Sequence, residues 1–238
     1  MHCWNNCGHP PEIKLPPFPF LEEKRHVISL VGAGGKTTLM YAMAAAYCRL
    51  GCRVLVTTTT HIRRPADGLR ARSPKEAQRL WQEHTFAVAG ADAPEGKLGR
   101  LAESELQWYI RYADIVLVEA DGAKGMPCKV PAAHEPVIPE ESDIVVGVAG
   151  LDSIGRPLQE VCFRLERAEQ LLGRRPGETL TGEDMAEILS SDEGTRKGVG
   201  SRDYYVVLNK CTDEGRRRSA EKVAGLLRCR GIARVGIT

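Results

Sequence analysis

VISLVGAGGKTTLMYAMAAAYCRLG, residues 27–51, decides the fold. An apolar run enters a glycine cluster, meets Lys36-Thr37-Thr38 and continues as an alanine-rich stretch whose small residues suit a closely packed helix. Residues 26–31 read as a strand, 37–50 as a helix and 53–58 as a second strand beyond the Gly51 stop, which makes a βαβ unit. Outward from there, residues 85–89 offer a short strand and 102–112 a helix, while DIVLVEAD (114–121) and DIVVGVAG (143–150) have the uninterrupted apolar centres of strands buried on both faces. Thr181 and Asp184 form a capping pattern ahead of another helix, and residues 204–208 and 232–235 supply two late strands around a basic helix. Strands alternating with helices predict an α/β protein: three layers, a mainly parallel sheet with helices on both faces, and ligands at the carboxyl ends of the strands.

A chain of 238 residues is long enough to bury a substantial core, and residues 25–238 read as a single domain. Residues 1–24 carry five prolines and little periodicity, and so read as a Pro-rich arm ahead of it. A formal charge of +2 gives no global pull toward nucleic acid or membrane, and there is no apolar run of the roughly 18 residues a membrane span needs. With no secretory pattern at the start, the expectation is a cytoplasmic protein. The eight cysteines are scattered, so free thiols are the default. Cys3, Cys7 and His9 could clip a soft metal but lack a completing second pair, whereas Cys48 and Cys52 read as small apolar residues at a helix end.

A strand, a glycine turn, a lysine, a hydroxyl residue and a helix together form a device for holding phosphate. Glycines let backbone N–H groups point inward, the helix N-terminus adds partial positive charge, lysine reaches the outer phosphates and the hydroxyl coordinates Mg²⁺. Gly32, Ala33, Gly34, Gly35, Lys36, Thr37 and Thr38 fill these places, so the expected fold is P-loop NTPase-like, with ATP or GTP and Mg²⁺ as ligands. The long pattern G-x-x-x-x-G-K-[ST] is not met, because Leu30 stands where its first glycine belongs. The shorter G-x-x-G-K-T-T fits residues 32–38 and resembles the ATP loop of Mur-type ligases.

A bound triphosphate with Mg²⁺ needs an acid at the end of a neighbouring buried strand, and Glu119 and Asp121 sit at such an end. Their E-x-x-G context resembles the metal-binding segment of metallochaperone GTPases. Thr37, Glu119 and Asp121 are thus the expected metal set, and Lys36, Glu119 and Asp121 the expected catalytic groups. Asn209-Lys210 resembles the base-reading N-K-x-D loop of GTPases, although Asp213 falls one place late, with Thr212 in the expected position. Thr57, Thr58, Thr59, Thr60 and His61 end the second strand, where hydroxyls suit oxyanion or metal-water contacts, or merely finish a β-strand. In residues 122–139, Lys124, Lys129, His134 and Glu135 could bind an anionic group or move a proton, with prolines stiffening the segment. Cys128 could handle redox chemistry or metal; residues 193–203 read as a second basic glycine turn or a plain loop.

Taken together, GAGGKTT, VLVTTTTHI, IVLVEADGAKGMPCKVPAAHEPVIP, VVGVAGLDSIGRPL and GTRKGV ahead of VVLNK resemble the YqeC family of selenium cofactor biosynthesis proteins. That resemblance spans residues 27–213 and implies a P-loop nucleotide-binding accessory protein for selenium-dependent molybdenum hydroxylases. Its implied partners are the nucleotide and such a hydroxylase or its cofactor-maturation proteins, with no nucleic acid and no membrane. Three functions stay open: a nucleotide-hydrolysing accessory protein, a Mur-like ATP-dependent ligase or kinase of a small molecule, and a non-enzymatic nucleotide-gated scaffold.

Overall fold

The computed structural model describes residues 13–65, 68–83 and 85–238. Cys3, Cys7 and His9 lie outside them. In chain order the elements are β1 (His26–Gly32), α1 (Lys36–Arg49), β2 (Val54–Thr58), β3 (His61–Arg63), α2 (Pro74–Gln82), β4 (Ala87–Val88), β5 (Ala91–Ala93), β6 (Lys97–Gly99), α3 (Glu103–Tyr112) and β7 (Ile115–Glu119). The second half adds β8 (Cys128–Lys129), β9 (Ile144–Gly150), α4 (Leu158–Val161), β10 (Cys162–Phe163), α5 (Leu165–Leu172), α6 (Gly182–Ser190), β11 (Asp203–Asn209), α7 (Glu214–Cys229) and β12 (Val235–Ile237).

Seven strands form one sheet in the order β12-β11-β9-β1-β7-β2-β4, every neighbouring pair parallel. Burial explains its composition: β2, β7 and β9 are buried at every position, so neither face of these strands needs polar residues. One face packs under α1, through Leu39, Met40 and Met43 against Ile28, Leu30, Val56, Leu117 and Val146. On the other, α2 and α3 cover β2 and β7 through Leu80, Trp81, Leu106 and Tyr109, while α6 and α7 cover β9 and β11. The result is the three-layer α/β arrangement expected, with helices on both faces.

Four features depart from the sequence reading. Within the proline-rich arm, Phe18 and Phe20 are buried, stack edge-on against Tyr205, and receive a Tyr47 hydroxyl bond at the Phe20 carbonyl (2.6 Å), so the described part of the arm belongs to the core. Residues 62–82, a polar stretch punctuated by prolines, contain α2: Ser73 caps it by accepting from the Glu76 N–H, and Pro74 occupies the first turn. Strands β3, β6 and β5 pair antiparallel as a small accessory sheet beyond the end of β2, and the last strand falls at Val235–Ile237, later than its expected place.

The sheet reverses its order at β1: the chain runs outward through β2 and β4, returns to β7 on one side of β1, then crosses to β9 on the other. In open parallel sheets such a switch point opens a crevice at the carboxyl ends of the strands. The glycine turn follows β1 into that crevice.

Candidate functional site

The turn is built so that only glycine fits three of its positions. Gly32, Gly34 and Gly35 have φ of +91°, +81° and +117°. A Cβ at Gly34 would stand 2.1 Å from the Gly150 nitrogen, one at Gly32 2.4 Å from the Val148 oxygen and one at Gly35 2.5 Å from Asn209 Nδ2. The turn therefore lies directly on the end of β9, tied by Ala33 N–H to the Val148 carbonyl (2.8 Å) and Gly34 N–H to the Met126 carbonyl (3.2 Å). Gly35 begins α1 without any side-chain cap, leaving first-turn N–H groups of a fourteen-residue helix facing the crevice.

Lys36, in the first turn of α1, is buried. Its ammonium donates to the Gly32 carbonyl (2.5 Å) and pairs with Asp121 Oδ1 at 3.0 Å, an oxygen that takes no well-directed hydrogen bond among the described residues. Asp121 Oδ2 accepts from the Gly32 N–H (3.1 Å) and faces Lys129 Nζ at 3.1 Å. Lys129 also reaches Glu135 Oε2 (3.0 Å) and the Gly122 carbonyl (2.6 Å), and Glu135 in turn accepts from Arg164 Nε (2.9 Å) and the Ala132 N–H (3.1 Å). A chain of alternating charge, Lys36, Asp121, Lys129, Glu135, Arg164, thus runs from the turn into the proline-rich segment.

Thr37 donates its hydroxyl to Glu119 Oε2 at 2.6 Å. Glu119 is buried at the end of β7, and desolvation pushes its pKa above the usual range, with Asp121 adding to the rise while Lys36, Thr37 and Lys129 pull it down. A carboxylate in that position gains a partner if a cation enters. Glu135 behaves oppositely: against the upward push of burial, Arg164, the Ala132 N–H and Lys129 hold it down at about 2.

The remaining expected residues take several roles. Thr58 donates to the Glu119 carbonyl (2.8 Å) and Thr59 to the Val137 carbonyl (2.7 Å), while Thr60 N–H donates to the Thr58 hydroxyl (2.9 Å), so these threonines brace β2 against β7 and the proline-rich segment. Thr57 is buried with its hydroxyl unpartnered among the described residues, and His61 is exposed on β3. Asn209 donates to the Gly34 carbonyl (2.8 Å) and accepts from Lys210 N–H and the Thr238 hydroxyl, holding the glycine turn; Lys210 pairs with Asp152 at 2.7 Å, and Asp213 caps α7. Lys124 and His134 are exposed.

Lys129, read as a ligand-facing cation, is an internal counter-ion with a fully buried side chain, and an acid held as low as Glu135 is not poised to move protons near neutrality. The Cys128 thiol lies beside Cys162, its partner across β8 and β10; that neighbour and burial raise its pKa, which disfavours the thiolate. Lys197, in the second basic turn, donates to the Ala132 and Ala133 carbonyls at 2.9 Å and so pins the proline-rich segment. Sequence reasoning missed Arg164 and Phe163; a two-residue strand before a short helix gives no pattern that singles them out.

Among the described residues no three His, Cys, Asp or Glu side chains converge to hold a metal ion unaided. Thr37 with Glu119 suits a cation that takes its other ligands from phosphate and water, the habit of Mg²⁺.

Fold and site together define a parallel α/β protein with a glycine turn at its switch point and two carboxylates, Glu119 and Asp121, at and just beyond the end of the adjacent strand. The family model described as "YqeC protein" matches residues 28–166. The chain is 32% identical over 186 residues, 75% of its length and 73% of the relative's, to an uncharacterized protein YqeC of Escherichia coli (strain K12). It belongs to the YqeC family.

Proposed function

We propose that this protein binds a magnesium nucleoside triphosphate, ATP or GTP, at residues 32–38 and hydrolyses it, on a P-loop NTPase-like framework. The observation that carries the proposal is the convergence of a glycine-only turn, an uncapped helix N-terminus, the buried Lys36 ammonium and the 2.6 Å Thr37–Glu119 pair at one switch point. In this reading Lys36 leaves the Gly32 carbonyl and Asp121 for phosphate oxygens, the N–H groups at the uncapped start of α1 cradle the remaining phosphates, and Asp121 keeps Lys129 and the Gly32 N–H as partners. Thr37 and Glu119 would hold Mg²⁺, with Asp121 orienting its water; the ion would supply charge neutralisation on the phosphates.

The role served, on the family resemblance, is an accessory one in maturation of selenium-dependent molybdenum hydroxylases, with nucleotide state controlling delivery to the client. Calorimetric titration of MgATP and MgGTP into the wild type and Lys36→Ala tests the nucleotide step. Binding of one nucleotide that weakens at least about 100-fold in the variant is expected. No binding of either by folded wild-type protein would overturn it.

A further inference from the structure

Three cations surround one phenyl ring beside the site. Arg164 Cζ lies 5.0 Å from the centre of the Phe163 ring, Lys124 Nζ 5.5 Å and Lys129 Nζ 5.7 Å. A ring has two faces, so at least two of the three share one.

The three differ in what they have left to offer. Lys129 is sealed and committed to Asp121, Glu135 and the Gly122 carbonyl. Arg164 gives Nε to Glu135 and no other ion pair among the described residues, with 31% of its side chain exposed. Lys124 is exposed and has no ion pair or hydrogen bond among the described residues. Lys36, Lys129 and Arg164 are committed to Asp121 and Glu135, with Glu119 buried within electrostatic range of Lys36 and Lys129, whereas Lys124 senses the exposed Glu95 without contacting it and keeps its donors for solvent. Lys124 and Arg164 are also set by left-handed backbone, φ +48° and +69°, which side chains other than glycine seldom adopt.

Exposed N–H donors stacked on an aromatic ring and short of carboxylate partners are a receptor for an oxyanion. Lys129 fixes where that receptor lies, because the same ammonium that faces the Phe163 ring also touches Asp121. We propose that Lys124 and Arg164, seated on Phe163, form a subsite for the phosphate or carboxylate group of a second, small-molecule substrate. The subsite is defined by its own residues; only its placement next to a triphosphate rests on the nucleotide reading.

The test is an amide-shift titration of ¹⁵N-labelled protein with inorganic phosphate and, separately, acetate. It is run on Lys36→Ala, where the glycine turn is disabled, and on wild type saturated with Mg-nucleotide. Saturable shifts are expected at residues 122–125 and 163–165 in both, with half-saturation raised at least about tenfold by Lys124→Ala. Arg164→Ala should do the same; since it also removes a partner of Glu135, the exposed Lys124 position carries the decision. Saturation by phosphate alone supports a phosphate-bearing substrate, and saturation by acetate a carboxylate. Shifts confined to residues 32–38, or a titration indifferent to Lys124→Ala, would overturn the subsite. Failure of nucleotide binding with the anion titration intact would sink the nucleotide reading alone.

Discussion

At the carboxyl ends of the central strands, Lys36, Asp121, Lys129 and Glu135 are buried and tied to one another; at the amino ends, similar side chains meet partly in water. There His26 bonds Asp143 at 2.5 Å and Glu23 at 3.2 Å, and Arg53 pairs with Asp114 at 2.9 Å, with Asp143 47% and Arg53 49% exposed. The amino end also holds a cavity of about 470 Å³, walled by Phe18, Phe20, His26, Asp143, Tyr205 and Arg234 among others. Open volume and organised charge thus lie at opposite poles of the sheet. The contrast teaches that volume is the weaker guide here: half-exposed ion pairs cost little to hold and contribute little, whereas sealed charges and glycine-only backbone are expensive features that persist where they serve something.

Four measurements would break or sharpen this contrast. The largest effect is expected from Gly34→Ala, where a Cβ meets the Gly150 backbone and φ is +81°; denaturant unfolding should show a loss of about 3 kcal/mol or more. A loss under about 1 kcal/mol would mean that the turn is not locked onto β9.

Next comes Glu135→Gln, which leaves Lys129 and Arg164 short of a carboxylate and should remove about 3 kcal/mol. The folded-state pKa of Glu135 lies below its ordinary 4.5, so its stabilisation is full above that value and disappears as pH falls toward about 2. Stability-against-pH curves should therefore lose part of their acid limb in the variant; superimposable limbs would contradict the buried network.

Glu119→Gln tests the metal side. It should reduce the magnesium-dependent part of nucleotide affinity by about tenfold while leaving magnesium-free binding nearly intact, as read by calorimetry with and without chelator. An equal loss in both would move Glu119 from the metal to the fold.

His26→Ala, at the opposite pole, should change stability by less than about 1 kcal/mol and leave nucleotide affinity unaltered. A change in affinity would show that the two poles communicate, and the contrast between them would fail.

Much of the fold was legible because periodicity and punctuation survive in a parallel sheet. The apolar centre of residues 115–118 marked β7, glycines flanked α1, and the Thr181–Asp184 pair sits in the structure as a capping box. Helix α2 carried a readable Ser73-Pro74 start but was obscured by its low apolar content and by the polar stretch with Pro65 before it. Phe18 and Phe20 were lost to the arm because a proline-rich segment without repeat offers no face to assign, although two phenylalanines three residues or fewer apart are a poor fit to a solvated tail.

In the crevice, the sequence marks Gly32, Gly34, Gly35, Lys36, Thr37 and Glu119 on its own, because a glycine turn between strand and helix and an acid at a buried strand end are local patterns with local physics. It could not say which charges in residues 121–135 face outward. Tertiary structure decided that Lys129 and Glu135 close an internal ion chain, that Asn209 holds the Gly34 carbonyl, and that Phe163 and Arg164 stand beside Lys124. The reason is distance along the chain: a side chain's charge state and partners depend on which remote segment packs against it, and strand order at a switch point is not written in any one stretch of residues.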